Sequence, residues 1–114
     1  MLLPGTANLV APQSTTFSYP FVIKTGSTPW NLTGYSVIMT VRPFFGSTTT
    51  TLLATTENGK AVVDGPNGRI TINFSALDTT IKAESYVYDI VLDSGSEITR
   101  VLEGQFIVTP GATV

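Results

Sequence analysis

The chain has 114 residues, a net charge of -2 at pH 7 and neither cysteine nor histidine. That length suits one domain with a core of its own, and the missing side chains exclude disulfides, thiolate metal sites, most zinc sites and histidine-dependent nucleophiles. Only 12% of residues are charged and the mean hydropathy is +0.26, which argues against disorder; Ser, Thr and Asn must face water, or other subunits cover part of the surface.

Residues 1–16 read as an N-terminal arm with a short strand at Asn8 to Ala11, and residues 17–114 as a β-sandwich domain. The opening "MLLPG" is too short for a signal-peptide core. No apolar run approaches the roughly 20 residues of a membrane span, and the basic residues are scattered, without a nucleic-acid patch. The expectation is a chain made and folded in the cytoplasm, with neither membrane nor nucleic acid as partner. Phe17, Tyr19, Phe21 and Ile23 alternate, the mark of a half-buried strand, and Pro20 between them predicts an edge or a bulge, because proline cannot donate to a ladder. "KTGSTP" at 24–29 is a turn. Val37, Met39 and Val41 then share one strand face, and Ile38, Thr40 and Arg42 the other. Pro43, Phe44 and Phe45 follow directly, ahead of "GSTTTT" from Gly46.

Leu52 to Thr55 precedes "ENGK", where Asn58-Gly59 is a hairpin signal of the type I′ kind. "DGPNG" from Asp64 is a further turn. Ile70, Ile72 and Phe74 point inward from the next strand. "SALDTTIKAES" from Ser75 is helix-like but short, and Thr79-Thr80 is a weak helix former, so one or two turns at most should cross the sheet end. Tyr86, Tyr88, Ile90 and Leu92 alternate against Val87, Asp89, Val91 and Asp93. After "DSGSE" the last strand places Leu102, Phe106 and Val108 on one face. Gly104 on that face leaves room for another element to come close; Arg100 on it predicts a bulge or a late start. Roughly seven short strands without βα alternation predict an all-β, Ig-like antiparallel β-sandwich with one short helical crossing.

No catalytic, cofactor or metal residues are assigned. Asp89 and Asp93 share a strand face, but four residues of strand separate them by roughly 13 Å, long for a glycosidase pair. "DGPNG" lacks the alternating Asp and Asn of a calcium loop. Most of the aromatic residues fall inward, and Trp30, at a turn, suits the end of a sandwich. Arg42 and Asp89 each oppose their strand's apolar set; on neighbouring strands they would form a structural ion pair. Two adjacent phenylalanines after a proline cannot both alternate inward. Either both tuck under a loop, or one anchors a partner, in an interface formed by Pro43, Phe44, Phe45, Thr48 and Thr49.

"WNLTGYSVIMTVRP", "GRITINFSALDTTI" and "SYVYDIVLDSGSEITRVLEGQFIV" together resemble the small Ig-like β-sandwich domains of tailed-phage virion proteins, of the baseplate upper protein and the collar and side-fibre attachment type. The shared order is a Leu-Thr-Gly turn, a strand ending in Arg, a Gly-led strand, a short crossing, a Tyr-x-Tyr-Asp strand and a Leu-Glu-Gly-x-Phe strand. The resemblance spans about residues 30–108. It implies a non-enzymatic virion structural protein that joins other virion proteins at the tail, baseplate or collar, as a homo-oligomer or symmetric array. A capsid decoration (cement) protein and a carbohydrate-binding module for host adsorption are the alternatives.

Overall fold

The computed structural model describes residues 5–25 and 27–111. The strands are β1 (Gly5–Thr6), β2 (Leu9–Pro12), β3 (Phe17–Val22), β4 (Lys24–Thr25), β5 (Thr28–Pro29), β6 (Ser36–Arg42), β7 (Leu52–Thr55), β8 (Ala61–Asp64), β9 (Arg69–Phe74), β10 (Ser85–Asp93) and β11 (Ile98–Thr109). The larger sheet runs β1-β11-β10-β6-β7, with β2 also on β11, and the smaller runs β3-β9-β8. β4 and β5 form a separate two-stranded ladder. β1 and β2 pair parallel to the last strand, and every other pairing in these two sheets is antiparallel. β11-β10-β6 and β3-β9-β8 follow the strand order of an immunoglobulin sandwich, with β7 added at one edge and β1 and β2 lying on β11 rather than beside β3. The fold is an Ig-like β-sandwich.

Period-two alternation builds the core. Val37, Met39 and Val41 of β6 and Tyr88, Ile90 and Leu92 of β10 face Ile70, Ile72 and Phe74 of β9, all buried. Phe17, Phe74 and Phe106 close one end of the core with centroids 5.3–6.1 Å apart, two of the three pairs edge-to-face, the arrangement that ring quadrupoles favour. Tyr86 lies near the start of β10 and donates its hydroxyl to the Lys82 carbonyl at 2.6 Å. This is the tyrosine corner typical of such sandwiches. Two residues on, where antibody domains carry a disulfide cysteine, stands Tyr88. Pro20 sits on β3, an edge of the smaller sheet, as its missing N–H requires. Trp30 is half-buried against the core.

Several expectations change in three dimensions. The segment expected to be an arm is strand over much of its described length. Leu9 and Ala11 are buried in the core, because β11 has a free edge that β1 and β2 fill. Met1–Pro4 of that arm, Gly26 of the "KTGSTP" turn and residues 112–114 lie outside the described residues. Asn58-Gly59 makes no hairpin. β7 pairs with β6 and β8 with β9, so the turn crosses between sheets, and Gly59 has positive φ while Asn58 does not. The crossing after β9 amounts to a single turn, closed by Thr79 N–H on the Ser75 carbonyl. It goes no further because Thr79 is buried and its hydroxyl bonds Thr15, accepting from the N–H and donating to the carbonyl.

Candidate functional site

β6 ends at Arg42, and the chain reverses immediately. Phe45 and Gly46 are the central residues of a β-turn closed by Ser47 N–H on the Phe44 carbonyl at 3.1 Å. Gly46 has φ +92, the positive value that the third position of a type II turn requires. The reversal carries both phenylalanines away from the core, so Phe44 is 62% and Phe45 64% exposed. Neither side chain tucks under the loop. Pro43 is half-buried, and Thr48 and Thr49 are exposed beside the two rings. The turn is tied down from within. Arg42 donates through Nη1 to the Thr49 carbonyl and to Thr50 Oγ1, both at 3.2 Å, and Thr49 N–H bonds Ser47 Oγ at 3.1 Å.

This loop overhangs the outer face of the larger sheet and makes a groove of about 320 Å³. Thr40, Val87 and Asp89 lie along the sheet beneath it, Phe45 and Ser47 belong to the overhang, and Arg42 and Arg100 supply its cations. The expected Arg42–Asp89 ion pair does not form. The two residues do lie on neighbouring strands, but Arg42 stands opposite Val87 and Asp89 opposite Thr40, a diagonal relation. Asp89 is taken by Arg100, whose Nε is 3.1 Å from Oδ2. The reason is a bulge in β11. Ile90 pairs with Leu102 and Val91 with Arg100, so Val101 is an extra residue. A bulge reverses the side-chain alternation beyond it. Val101 is thereby buried, and Arg100, which simple alternation puts on the inner face, turns outward beside Asp89. Glu103 lies directly opposite Asp89, a like-charge neighbour that Arg100 offsets.

A second polar feature lies under the same sheet. The Tyr88 hydroxyl donates to the Ala7 carbonyl at 2.7 Å. Burial, with a smaller contribution from Tyr19, pushes the phenol well above its ordinary range, so it stays a donor. Tyr88 stands opposite Gly104, and a Cβ on Gly104 would lie 2.1 Å from the Ala7 oxygen. This is the close approach expected at Gly104, and the incoming element is the N-terminal segment. Among the described residues no group of three or more His, Cys, Asp or Glu that could hold a metal occurs.

The fold and the groove define an Ig-like sandwich with an exposed aromatic turn beside a charged sheet face. No family model matches the chain, and no curated protein does either. Among solved structures it is similar to murine CRIg, with 11% identity over 91% of this chain and 92% of that one, at a TM-score of 0.40.

Proposed function

We propose that the protein is a non-enzymatic structural component of a bacteriophage virion, an adaptor that joins virion proteins at the tail, baseplate or collar. The observation that carries the adaptor role is the turn at Phe44 and Phe45. Two adjacent aromatic rings, each more than half exposed, sit at the tip of a loop whose backbone is held by Arg42. Large apolar side chains on a rigid support are what a protein interface uses as anchors. The virion setting rests on the order of motifs shared with tailed-phage domains. Chain composition fits a repeated subunit, since a chain with only 12% charged residues gains from burial of its surface in a symmetric array, where many weak contacts act together. Of the two aromatic platforms open to the sugar-binding alternative, Trp30 packs against the core, which leaves it the same exposed Phe44–Phe45 pair.

The test is Phe44→Ser and Phe45→Ser, made separately. Both variants should unfold near the wild-type temperature, because neither ring is in the core. Incorporation into particles should fall, with a loss of about 2 kcal/mol or more for the ring that anchors. Normal incorporation of both variants would refute the adaptor reading.

A further inference from the structure

We propose that the groove beneath the Phe44–Phe45 turn is a carboxylate-binding site, taking an Asp or Glu side chain from an extended, partly apolar segment of a partner protein on the Arg42 guanidinium. The inference rests on the adaptor reading and adds to it what the partner must present.

The two arginines of the groove are used differently. Arg100 already has its carboxylate, Asp89. Arg42 has none among the described residues. Its protein acceptors there are one carbonyl and one hydroxyl, both reached through Nη1. A guanidinium has five N–H donors in a fixed fork, so Nε and Nη2 are left without an acceptor among the described residues. A cation oriented by neutral oxygens on one side, in a groove, is prepared for a bidentate carboxylate. The neutral oxygens cost it no charge, and the loop that supplies them restricts its motion before a partner arrives.

Charge balance narrows the ligand. Asp89 and Glu103 lie on the same outer face as Arg42 and Arg100, so the groove has no surplus of positive charge to hold a phosphate dianion or a nucleic-acid backbone. A single carboxylate instead suits the one guanidinium here that has no carboxylate in direct contact, its acceptors among the described residues being the Thr49 carbonyl and Thr50 Oγ1. The shape narrows it further. The groove is lined by Phe45 on its loop side, and its sheet face carries Val87 beside Thr40, with Val91 and Ile38 paired further along. An extended segment with an apolar residue next to its acid can lie along this face and pack on the ring.

The probe is the tetrapeptide acetyl-Ala-Glu-Leu-Ala-amide, titrated into the 15N-labelled protein, with the Gln-for-Glu peptide and maltotriose as comparisons. The backbone amides of Ser47 and Val87 should shift saturably with the Glu peptide, and the Gln peptide should bind about tenfold more weakly or worse. Arg42→Gln should abolish the difference between the peptides. Arg42→Lys should fold as the wild type does and bind more weakly, since an ammonium cannot fork. No shift with the Glu peptide, equal binding of both peptides, wild-type binding by Arg42→Lys, or shifts with maltotriose instead would each overturn the proposal. Particle incorporation separates it from the adaptor reading. If the phenylalanine variants fail to incorporate while the peptide does not bind, the adaptor stands and the carboxylate site falls. If the peptide binds as expected while every variant incorporates normally, the site stands and the adaptor falls.

Discussion

Gly104 shows how one missing side chain organises a sheet edge. Its bare backbone lets the Ala7 carbonyl approach, the Tyr88 ring lies opposite it, and the Tyr88 hydroxyl closes on that carbonyl. Asn8 then reinforces the contact, its side-chain oxygen accepting from Gln105 N–H at 3.1 Å. Gly104→Ala should therefore destabilise the domain by about 1–3 kcal/mol through overpacking. Hydrogen exchange in residues 5–12 should rise more than elsewhere. Wild-type protection of that segment in the Gly104→Ala variant would contradict the account. The need for a small residue at this position is legible from alternation, because glycine breaks an apolar face. Which segment fills the space is not, since Ala7 and Gly104 are far apart in sequence. The ion pair of Asp89 follows the same rule. Its partner depends on one extra residue at Val101: Arg100 on the inner face of "ITRVLEG" signals a bulge or a late start, and the structure shows the bulge, but the pattern alone does not say that Arg100 then turns to Asp89.

Among the elements, β7 presents the exposed edge of the larger sheet, a place where another chain could add a strand. Asn58 closes it. Its side-chain oxygen accepts from Thr55 N–H and its amide donates to the Leu53 carbonyl, at 2.9 and 3.0 Å. The same oxygen accepts from Lys60 N–H at 2.9 Å. One carboxamide thus occupies backbone groups that a neighbouring strand would otherwise use, and Leu53, 43% exposed, is left beside a blocked edge. Asn58→Ala should lower stability by about 1–2 kcal/mol for the lost bonds and promote association at high concentration. Urea unfolding and light scattering would read the two effects; a variant that remains monomeric at all concentrations would show that the edge needs no guard. From sequence Asn58-Gly59 reads as a tight hairpin. The structure uses Asn58 for its side chain because the next strand joins the opposite sheet.

For the molecule as a whole, one end of the smaller sheet is closed by Lys60 and Asp78, which form an ion pair between the turn leading into β8 and the crossing after β9. Burial alone would raise the Asp78 carboxyl, but Lys60 and the Ser75 N–H and hydroxyl outweigh it and hold the group below its ordinary value. A carboxyl depressed in the folded state adds stability that is complete above its unfolded pKa of about 3.9 and is lost as pH falls through the folded value. The melting temperature should accordingly hold down to about pH 5 and drop below about pH 4, and Asp78→Asn should flatten that part of the curve. An unchanged acid limb in the variant would assign the drop to other carboxyls. The exposed apolar turn and the grooved outer face lie on the larger sheet, so a partner can be gained or lost there without disturbing the core between the sheets.

Local pattern was enough to define the class of the fold, because burial on one face writes a period of two into each main strand, and no Cys, His or long helix competes with that reading. It also located the aromatic turn, since proline followed by two phenylalanines cannot continue a half-buried strand. The rest comes from packing in three dimensions. Which sheet each strand joins depends on pairing between residues distant in the chain. That Arg42 holds a loop while Arg100 holds Asp89 depends on the register of β10 against both neighbours and on the bulge that shifts it. That both phenylalanines face solvent depends on a turn whose geometry is set by Gly46 and by the hydrogen bonds of Ser47. Alternation carries the sign of burial at each position, whereas pairing, register and bulges are settled only when the whole sandwich closes around one core.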